Sequence, residues 1–166
     1  MLVRKVMKLI FLEDNDIVNF KLNSMFLGFP KCSFKCGADV CQNAALMNEP
    51  PIDISIEDLV KRYQENPLSH AIVCGGLEPL DTPVELGVTI INFRKVTDDP
   101  IVIYTGYTQK EKEHFIKQFG LYDNIIVKYG RYIPNRPSRY DDLLGVELAS
   151  DNQYAVLYRK VNNGTK

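Results

Sequence analysis

The sequence lacks any long uninterrupted run of apolar residues, and it has no excess of charge of either sign. The apolar run near its start, Leu9 to Leu12, is ended by Glu13 and Asp14, so it is too short for a membrane span or for the apolar region of a secretory signal. The 20 basic residues are balanced by 21 acidic ones, which argues against a broad electrostatic surface for nucleic acid. We therefore expect a cytoplasmic protein that binds neither membrane nor nucleic acid.

Histidine and cysteine, the nitrogen and sulfur ligands of protein metal sites, are also few, and they are unevenly distributed. The two histidines, His70 and His114, lie far apart, and there are four cysteines. With no export expected, these thiols should stay reduced in the cytoplasm, which favours metal binding over disulfide formation. Three of the four cysteines lie in one segment, residues 29–43, which we name the cysteine loop.

The cysteine loop favours an iron-sulfur cluster over a structural zinc ion. Its cysteines are Cys32, Cys36 and Cys41, and no second cysteine or histidine pair at zinc-site spacing follows them. A structural zinc site normally takes its fourth ligand from such a second arm. Three thiolates would leave one iron of a four-iron cluster open to a small molecule. Cys74 lies alone in an apolar run, and we assign it to the core.

Strands that alternate with helices predict an α/β fold with a parallel sheet. The 166 residues, 45% hydrophobic and 25% charged, predict a single domain over residues 1–166. The four or so strand-helix units are too few to close an eight-fold barrel. The expected strands are residues 8–13, 17–22, 24–29, 70–74, 100–104, 124–128 and a closing strand at 154–158. The expected helices begin at Ser55, Thr82 and Thr108, with a short helical turn near residues 140–144.

Polar residues and glycines follow the predicted parallel strands. In parallel sheets ligands bind at the carboxyl ends of the strands, and glycine allows a close approach of backbone to ligand. The segments at these positions are residues 75–79, 104–108 and 128–133, and a further polar segment covers residues 145–154. In the third segment Lys128 or Arg131 is suited to meet a carboxylate.

Taken in order, these segments resemble the radical S-adenosylmethionine (SAM) enzymes, and more narrowly the activating proteins of anaerobic ribonucleotide reductase. That family carries C-x3-C-x2-C, and this chain reads Cys32-x3-Cys36-x4-Cys41. The run 75–79 is similar to the family's Gly-Gly-Glu/Asp-Pro with Leu77 inserted, and 105–107 is similar to its Thr-Gly-Tyr. The Asn-Gln pair at 152–153 is similar to the Asn-Gln of the family's closing segment.

The resemblance implies a fold, two cofactors and a set of ligand contacts. The fold would be an open partial (βα) barrel with parallel strands. Cys32, Cys36 and Cys41 would bind a 4Fe-4S cluster, SAM would bind its open iron, and no catalytic residue beyond the cluster is implied. The implied SAM contacts are Gly75, Gly76, Glu78, Thr105, Tyr107, Asn152 and Gln153.

The activity implied by the resemblance is that of a radical SAM oxidoreductase of the activating type. It would cleave SAM reductively and generate a glycyl radical on the large subunit of an anaerobic ribonucleotide reductase, with flavodoxin or ferredoxin as reductant. Three alternatives stay open at this point. They are a non-enzymatic zinc module with Cys74 or His70 as fourth ligand, an iron-sulfur electron carrier, and a radical SAM enzyme acting on another substrate.

Overall fold

A six-stranded mixed sheet organises the chain in the computed structural model, which describes residues 5–33, 37 and 39–161. The strands are β1 (Val6–Leu9), β2 (Phe11–Asp16), β3 (Ser24–Phe29), β4 (Ile52–Ser55), β5 (Ile72–Gly76), β6 (Ile101–Tyr104), β7 (Ile125–Tyr129), β8 (Arg139–Asp141), β9 (Val146–Leu148) and β10 (Tyr154–Tyr158). The helices are α1 (Ile56–Glu65), α2 (Pro83–Arg94) and α3 (Glu113–Phe119), with 3-10 turns at Ala44–Asn48 and Pro79–Asp81. None of the helices in these ranges is long and apolar enough to cross a membrane.

The centre of the sheet is parallel, as predicted. Its strand order is β10-β7-β6-β5-β3-β2, in which β3, β5, β6 and β7 are parallel neighbours and β2 and β10 are antiparallel edge strands. The helices α1, α2 and α3 connect successive parallel strands. Each of β5, β6 and β7 is added on the same side of the parallel strand that precedes it in the chain. Because such crossovers are right-handed, the three helices lie on one face of the sheet. The described strands form an open sheet with two edges and no closed barrel.

One side of the sheet, the helix-facing side, carries most of the core. Alternate strand residues point to it, because successive side chains of a strand face opposite ways. They pack against apolar side chains of the helices, such as Leu59 of α1, Phe93 of α2 and Phe119 of α3. The strand residues on this side include Met25, Leu27, Ile72, Cys74, Ile101, Ile103, Ile125 and Val127.

The opposite side of the sheet, the loop-facing side, is covered by residues outside the six-stranded sheet. Phe20, Leu144 and Leu148 pack there against a second set of alternate strand residues. The backbone N–H of Lys21 donates to the Leu144 carbonyl at 2.8 Å, so the two covering segments are joined. The residues that they cover are Ala71, which precedes β5, and the strand residues Val73, Val102 and Ile126.

Most predicted elements are confirmed, including β3, which has the predicted bounds. Ser55 caps α1 as predicted, since its Oγ atom accepts from the Asp58 N–H at 3.0 Å. The predicted strand at 17–22 is wrong, because the Asp16 carboxylate accepts from the Asn19 N–H at 3.1 Å and closes a turn. The predicted strand at 8–13 is divided at Ile10 between β1 and β2, which belong to different sheets.

Two further elements differ from prediction towards the carboxyl end of the chain. The helical turn expected near residues 140–144 is confirmed in part: the Gly145 N–H donates to the Asp141 carbonyl at 2.7 Å and closes one turn. The beginning of the expected range belongs to β8, and Gly145 lies in the left-handed region at φ +71°. The helix expected from Thr108 begins at Glu113. Thr108 still forms a capping pair with Glu111, whose carboxylate accepts the Thr108 N–H at 2.8 Å.

Replacing Phe20 tests whether the 17–22 segment covers the sheet. Phe20 is 2% exposed, and we expect Phe20→Ala to lower the free energy of unfolding by about 3 kcal/mol or more, since a buried ring is removed and a cavity is left. Ile17→Ala in the same segment is the matched control, because Ile17 is 77% exposed and should change stability by less than about 0.5 kcal/mol. Urea unfolding measures both; equal effects would contradict this packing.

Candidate functional site

A cavity of about 400 Å³ lies at the carboxyl ends of the parallel strands. It lies there because the loop-facing side is filled further down the sheet by Phe20, Leu144 and Leu148. Of the residues predicted to form the site, those that line the cavity are Cys32, Cys41, Gly75, Gly76, Glu78, Thr105 and Gln153. Other lining residues are Phe11, Val18, Phe26, Asn43, Leu46, Gly106, Lys128, Gly130 and Arg131.

Two predicted contact residues do not line this cavity. Tyr107 is 4% exposed, and its hydroxyl donates to the Asp81 carboxylate at 2.5 Å. Asn152 lines a neighbouring pocket beside Arg131 and Tyr132. Cys36 lies outside the described residues.

Glycines at the ends of β3 and β5 allow aromatic rings to form part of the cavity wall. A Cβ atom on Gly75 would meet the Phe26 ring at 2.7 Å, and one on Gly28 would meet the Phe11 ring at 2.5 Å. The two rings contact each other edge to face with their centroids 4.9 Å apart. The glycines therefore provide the space in which Phe11 and Phe26 pack over the sheet.

The backbone around Gly76 leaves no room for a side chain. Its φ is +82°, and a Cβ atom would lie 2.8 Å from Gly28 Cα and 3.0 Å from the Phe29 nitrogen. Side chains are strained in this backbone region, and here they would also contact the neighbouring strand. A substitution at Gly76 therefore acts first on the pairing of β3 and β5.

The cysteine loop is tied at both ends to the last residue of β5 and the segment that follows it. At its start, the Leu77 N–H donates to the Phe29 carbonyl at 3.0 Å and the Glu78 N–H donates to the Lys31 carbonyl at 2.7 Å. At its end, the Asn43 side-chain amide donates to the Gly76 carbonyl at 3.0 Å. These bonds hold the residues on either side of the loop against the strand end, with Cys32 and Cys41 in the cavity wall.

The donor set fits a thiolate-bound metal group, with one donor outside the described residues. Within the described ranges no three His, Cys, Asp or Glu side chains are grouped to hold a metal ion. Two thiols of the loop nevertheless line one cavity, and Cys36 lies between them in the sequence. Cys74 points to the helix-facing side, and burial raises the pKa of its thiol to about 12. It is therefore a neutral core thiol and a poor metal ligand.

Glu78 links the ends of β5 and β6. Its buried carboxylate accepts the Leu80 N–H at 3.0 Å and the Gly106 N–H at 2.8 Å. Burial raises the pKa of this carboxyl, while the hydrogen bonds from Gly106, Leu80 and Thr105 oppose the rise. Both carboxylate oxygens are engaged with the protein, so Glu78 shapes the cavity wall.

Asn152 and Gln153 hold the segment that follows β7. The Asn152 amide donates to the Arg131 carbonyl at 2.8 Å, and the Gln153 amide donates to the Gly130 carbonyl at 3.2 Å. The Gln153 Oε1 atom accepts the Ser150 N–H at 3.2 Å. These amides fix the backbone that borders the cavity; a direct contact of either with SAM stays a prediction.

Lys128 places a buried amine in the cavity wall. Its side chain is on the loop-facing side, and its Nζ atom donates to the Gly130 carbonyl at 3.0 Å and lies 5.8 Å from the centroid of the Tyr104 ring. Burial lowers the pKa of Lys128 to about 8, and the charge of Glu78 opposes this shift. Its ammonium forms no ion pair with any carboxylate of the described chain, so it is available to an anionic group.

Residues that sequence reasoning missed are those that support the site from a distance. Asp81 accepts the Ser33 N–H at 2.8 Å across a large sequence separation. Ser33 lies in the cysteine loop and Asp81 belongs to no motif, and only the fold brings them together. Asn43 lies in the cysteine loop, two residues after Cys41.

Comparisons with protein-family models, curated proteins and solved structures find no match to this chain.

A pair of glycine substitutions tests the close approach of β3 and β5. Gly76→Ala should lower the free energy of unfolding by about 2 kcal/mol or more, because it combines a positive φ with a backbone clash. Gly87→Ala is the matched control, since Gly87 lies within α2 and a Cβ atom there would meet nothing within 4 Å. It should raise stability by about 0.5–1 kcal/mol. Unchanged stability in Gly76→Ala would contradict the geometry.

The buried amine of Lys128 predicts a pH dependence of stability. The folded-state pKa is about 8, whereas lysine titrates near 10.4 in unfolded chains. Between these values the unfolded chain binds more protons, so the penalty for burying the ammonium is complete below pH 8 and is relieved as the pH rises. The stability of Lys128→Met relative to the unmodified protein should therefore fall by about 2 kcal/mol from pH 7 to pH 9.5. Urea unfolding at both pH values measures this change. A difference in unfolding free energy between the two proteins that stayed the same from pH 7 to pH 9.5 would contradict burial of the charged amine.

Proposed function

We propose that this protein is a radical SAM enzyme of the activating type, built on a partial (βα) barrel. The observation that carries the proposal is that Cys32 and Cys41 line one cavity together with the glycine-rich end of β5. The cavity lies at the carboxyl edge of the parallel strands, where ligands of such sheets bind. The strands β3, β5, β6 and β7 follow one another across the sheet in chain order, with the helices on one face. A partial barrel requires this strand order.

Cys32, Cys36 and Cys41 would hold the 4Fe-4S cluster, and SAM would occupy the rest of the cavity. When bound, such a cluster supplies the electron for the reductive cleavage of SAM. Lys128 places positive charge in the wall, which suits the carboxylate of the SAM methionine, whereas the Arg131 guanidinium beside it is paired with Glu111 at 2.9 Å.

The chain's own residues would orient the ligands and exclude water. Asn43 fixes the Gly76 carbonyl, so the backbone at the end of β5 is held in one orientation. Phe11, Phe26 and Leu46 supply apolar surface to the same cavity. Low water content protects a reactive species from side reactions.

The partner in this proposal is the large subunit of an anaerobic ribonucleotide reductase, with flavodoxin or ferredoxin as the electron donor. Val18 lines the cavity and is 72% exposed, and its neighbour Ile17 is 77% exposed. This apolar surface at the cavity mouth suits a second protein that covers the site during the reaction.

The two fourth ligands considered for a zinc module, Cys74 and His70, both lie away from the cavity. Cys74 faces the helices, away from the cavity. His70 precedes β5, and its N–H donates to the Asn23 carbonyl. Both residues lie at the amino-terminal ends of the parallel strands, whereas Gly76 lies at the carboxyl end. At about 3.3 Å per strand residue, six residues place His70 about 20 Å from Gly76.

Single cysteine replacements test the ligand assignment. Cys32→Ala, Cys36→Ala and Cys41→Ala should each lose the cluster, whereas Cys74→Ala should keep it and lose about 1 kcal/mol of stability from a small cavity. Iron and labile sulfide are counted after anaerobic reconstitution. A colourless protein that holds zinc without sulfide would refute the cluster, and loss of iron in Cys74→Ala alone would refute the assignment.

The activity is tested with the reduced, reconstituted protein and SAM. We expect slow formation of 5'-deoxyadenosine from the protein alone, and a glycyl-type EPR doublet after addition of an anaerobic ribonucleotide reductase. An intact cluster that never cleaves SAM would leave an electron carrier as the function. Fast cleavage with a small-molecule substrate and no radical on the reductase would favour a radical SAM enzyme with another substrate.

A further inference from the structure

Three side chains from distant parts of the chain meet beside Cys32. The Asp81 carboxylate accepts the Ser33 N–H through Oδ2 at 2.8 Å and the Tyr107 hydroxyl through Oδ1 at 2.5 Å. The Ser33 hydroxyl lies 3.2 Å from the same Tyr107 oxygen. We name Ser33, Asp81 and Tyr107 the brace.

The brace completes the fixation of the backbone around Cys32. On one side of Cys32, the Lys31 carbonyl accepts the Glu78 N–H at 2.7 Å. On the other side, the Ser33 N–H is held by Asp81. Both partners belong to the segment 78–81, so the two peptide groups that flank Cys32 are attached to one short piece of chain.

Tyr107 and Asp81 are themselves held rigidly. The Tyr107 N–H donates to the Thr105 Oγ1 atom at 3.1 Å, and the Lys112 ammonium lies 4.1 Å from the centroid of its ring. Asp81 ends the 3-10 turn that Glu78 begins by accepting the Leu80 N–H. A hydrogen bond between a carboxylate and a neutral donor is stronger than one between neutral groups.

We propose that Asp81 and Tyr107 are positioning residues, which fix the backbone at Cys32 so that its thiolate is already oriented before the metal group binds. The inference rests on the proposed function, because it concerns the same loop. Cys41 is oriented independently, through Asn43 and the Gly76 carbonyl. The loop therefore has two separate anchors, and loss of the brace should affect one of them.

The chain offers a matched control for the tyrosine. Tyr63 is also 4% exposed, and its hydroxyl also donates to a carboxylate, that of Asp99, at 2.5 Å. Asp99 lies just before β6, at the amino-terminal ends of the parallel strands, whereas the cavity lies at their carboxyl ends. Tyr63→Phe therefore removes the same kind of hydrogen bond without touching the cysteine loop.

The first measurement uses the reduced full-length protein without metal. The rates at which iodoacetamide alkylates Cys32 and Cys41 are followed by peptide mass spectrometry in the unmodified protein, Tyr107→Phe, Asp81→Asn and Tyr63→Phe. We expect the Cys32 rate to change by roughly two- to tenfold in the two brace variants, as loss of one such hydrogen bond implies. The Cys41 rate should stay constant, and Tyr63→Phe should change neither rate.

The second measurement uses the reconstituted protein. Tyr107→Phe should bind iron but show a shifted EPR spectrum of the reduced cluster, or faster iron loss to a chelator, while Tyr63→Phe matches the unmodified protein. Equal behaviour of the two tyrosine variants in both measurements, or equal changes at Cys32 and Cys41, would overturn the proposal. If the unmodified protein bound no iron, the proposed function would fall, and the alkylation rates would still decide for or against the brace.

Discussion

The parallel pairing of β3 with β5 is the interaction on which the site depends. It runs in register from Met25 opposite Ile72 to Phe29 opposite Gly76, and two backbone hydrogen bonds extend it to Lys31 and Glu78. The chain thus enters the cysteine loop in a direction that is fixed by the sheet. Gly76 makes this possible, because any side chain there would clash with the backbone of β3. The position of Cys32 is a consequence of strand pairing.

The two sides of the sheet serve different purposes. The helix-facing side carries the larger apolar cluster and therefore most of the hydrophobic stabilisation. The loop-facing side is filled by Phe20, Leu144 and Leu148 over its lower part and is open at the carboxyl edge. The cavity is thus the part of this side that the covering loops leave open, which explains why it coincides with the strand ends.

The polar groups of the cavity wall are mostly engaged with the protein. Glu78 binds two backbone N–H groups, and Gln153 binds both Ser150 and Gly130. Buried polar groups that are satisfied in this way make a wall rigid at little cost. Lys128 differs, since burial lowers the pKa of its amine and its Nζ atom donates to a carbonyl, that of Gly130. The cavity therefore combines a fixed frame with one cationic group that a bound anion would stabilise.

The sequence by itself determined the elements whose signals are local. Short apolar runs predicted β3, β5, β6 and β7, the Ser55 cap predicted α1, and the order of the elements predicted the parallel sheet. The strand ends that carry Gly75, Gly76, Glu78 and Thr105 followed from that order. The segment 17–22 misled the same reasoning, because its apolar residues follow a strand-like pattern while Asp16 closes a turn.

Only the tertiary structure decided which side chains meet across the sheet. The bond from Ser33 to Asp81 spans 48 residues, and the bond from Tyr107 to Asp81 spans 26. Phe20 is core although it lies in a loop, and Tyr107 supports the cysteine loop instead of lining the cavity. A periodic pattern records the neighbours of a residue along its own helix or strand, whereas contacts between elements depend on register and on the order of strands. The sequence therefore predicted where the candidate site lies, and the packing of the folded chain determined which contacts hold its residues in place.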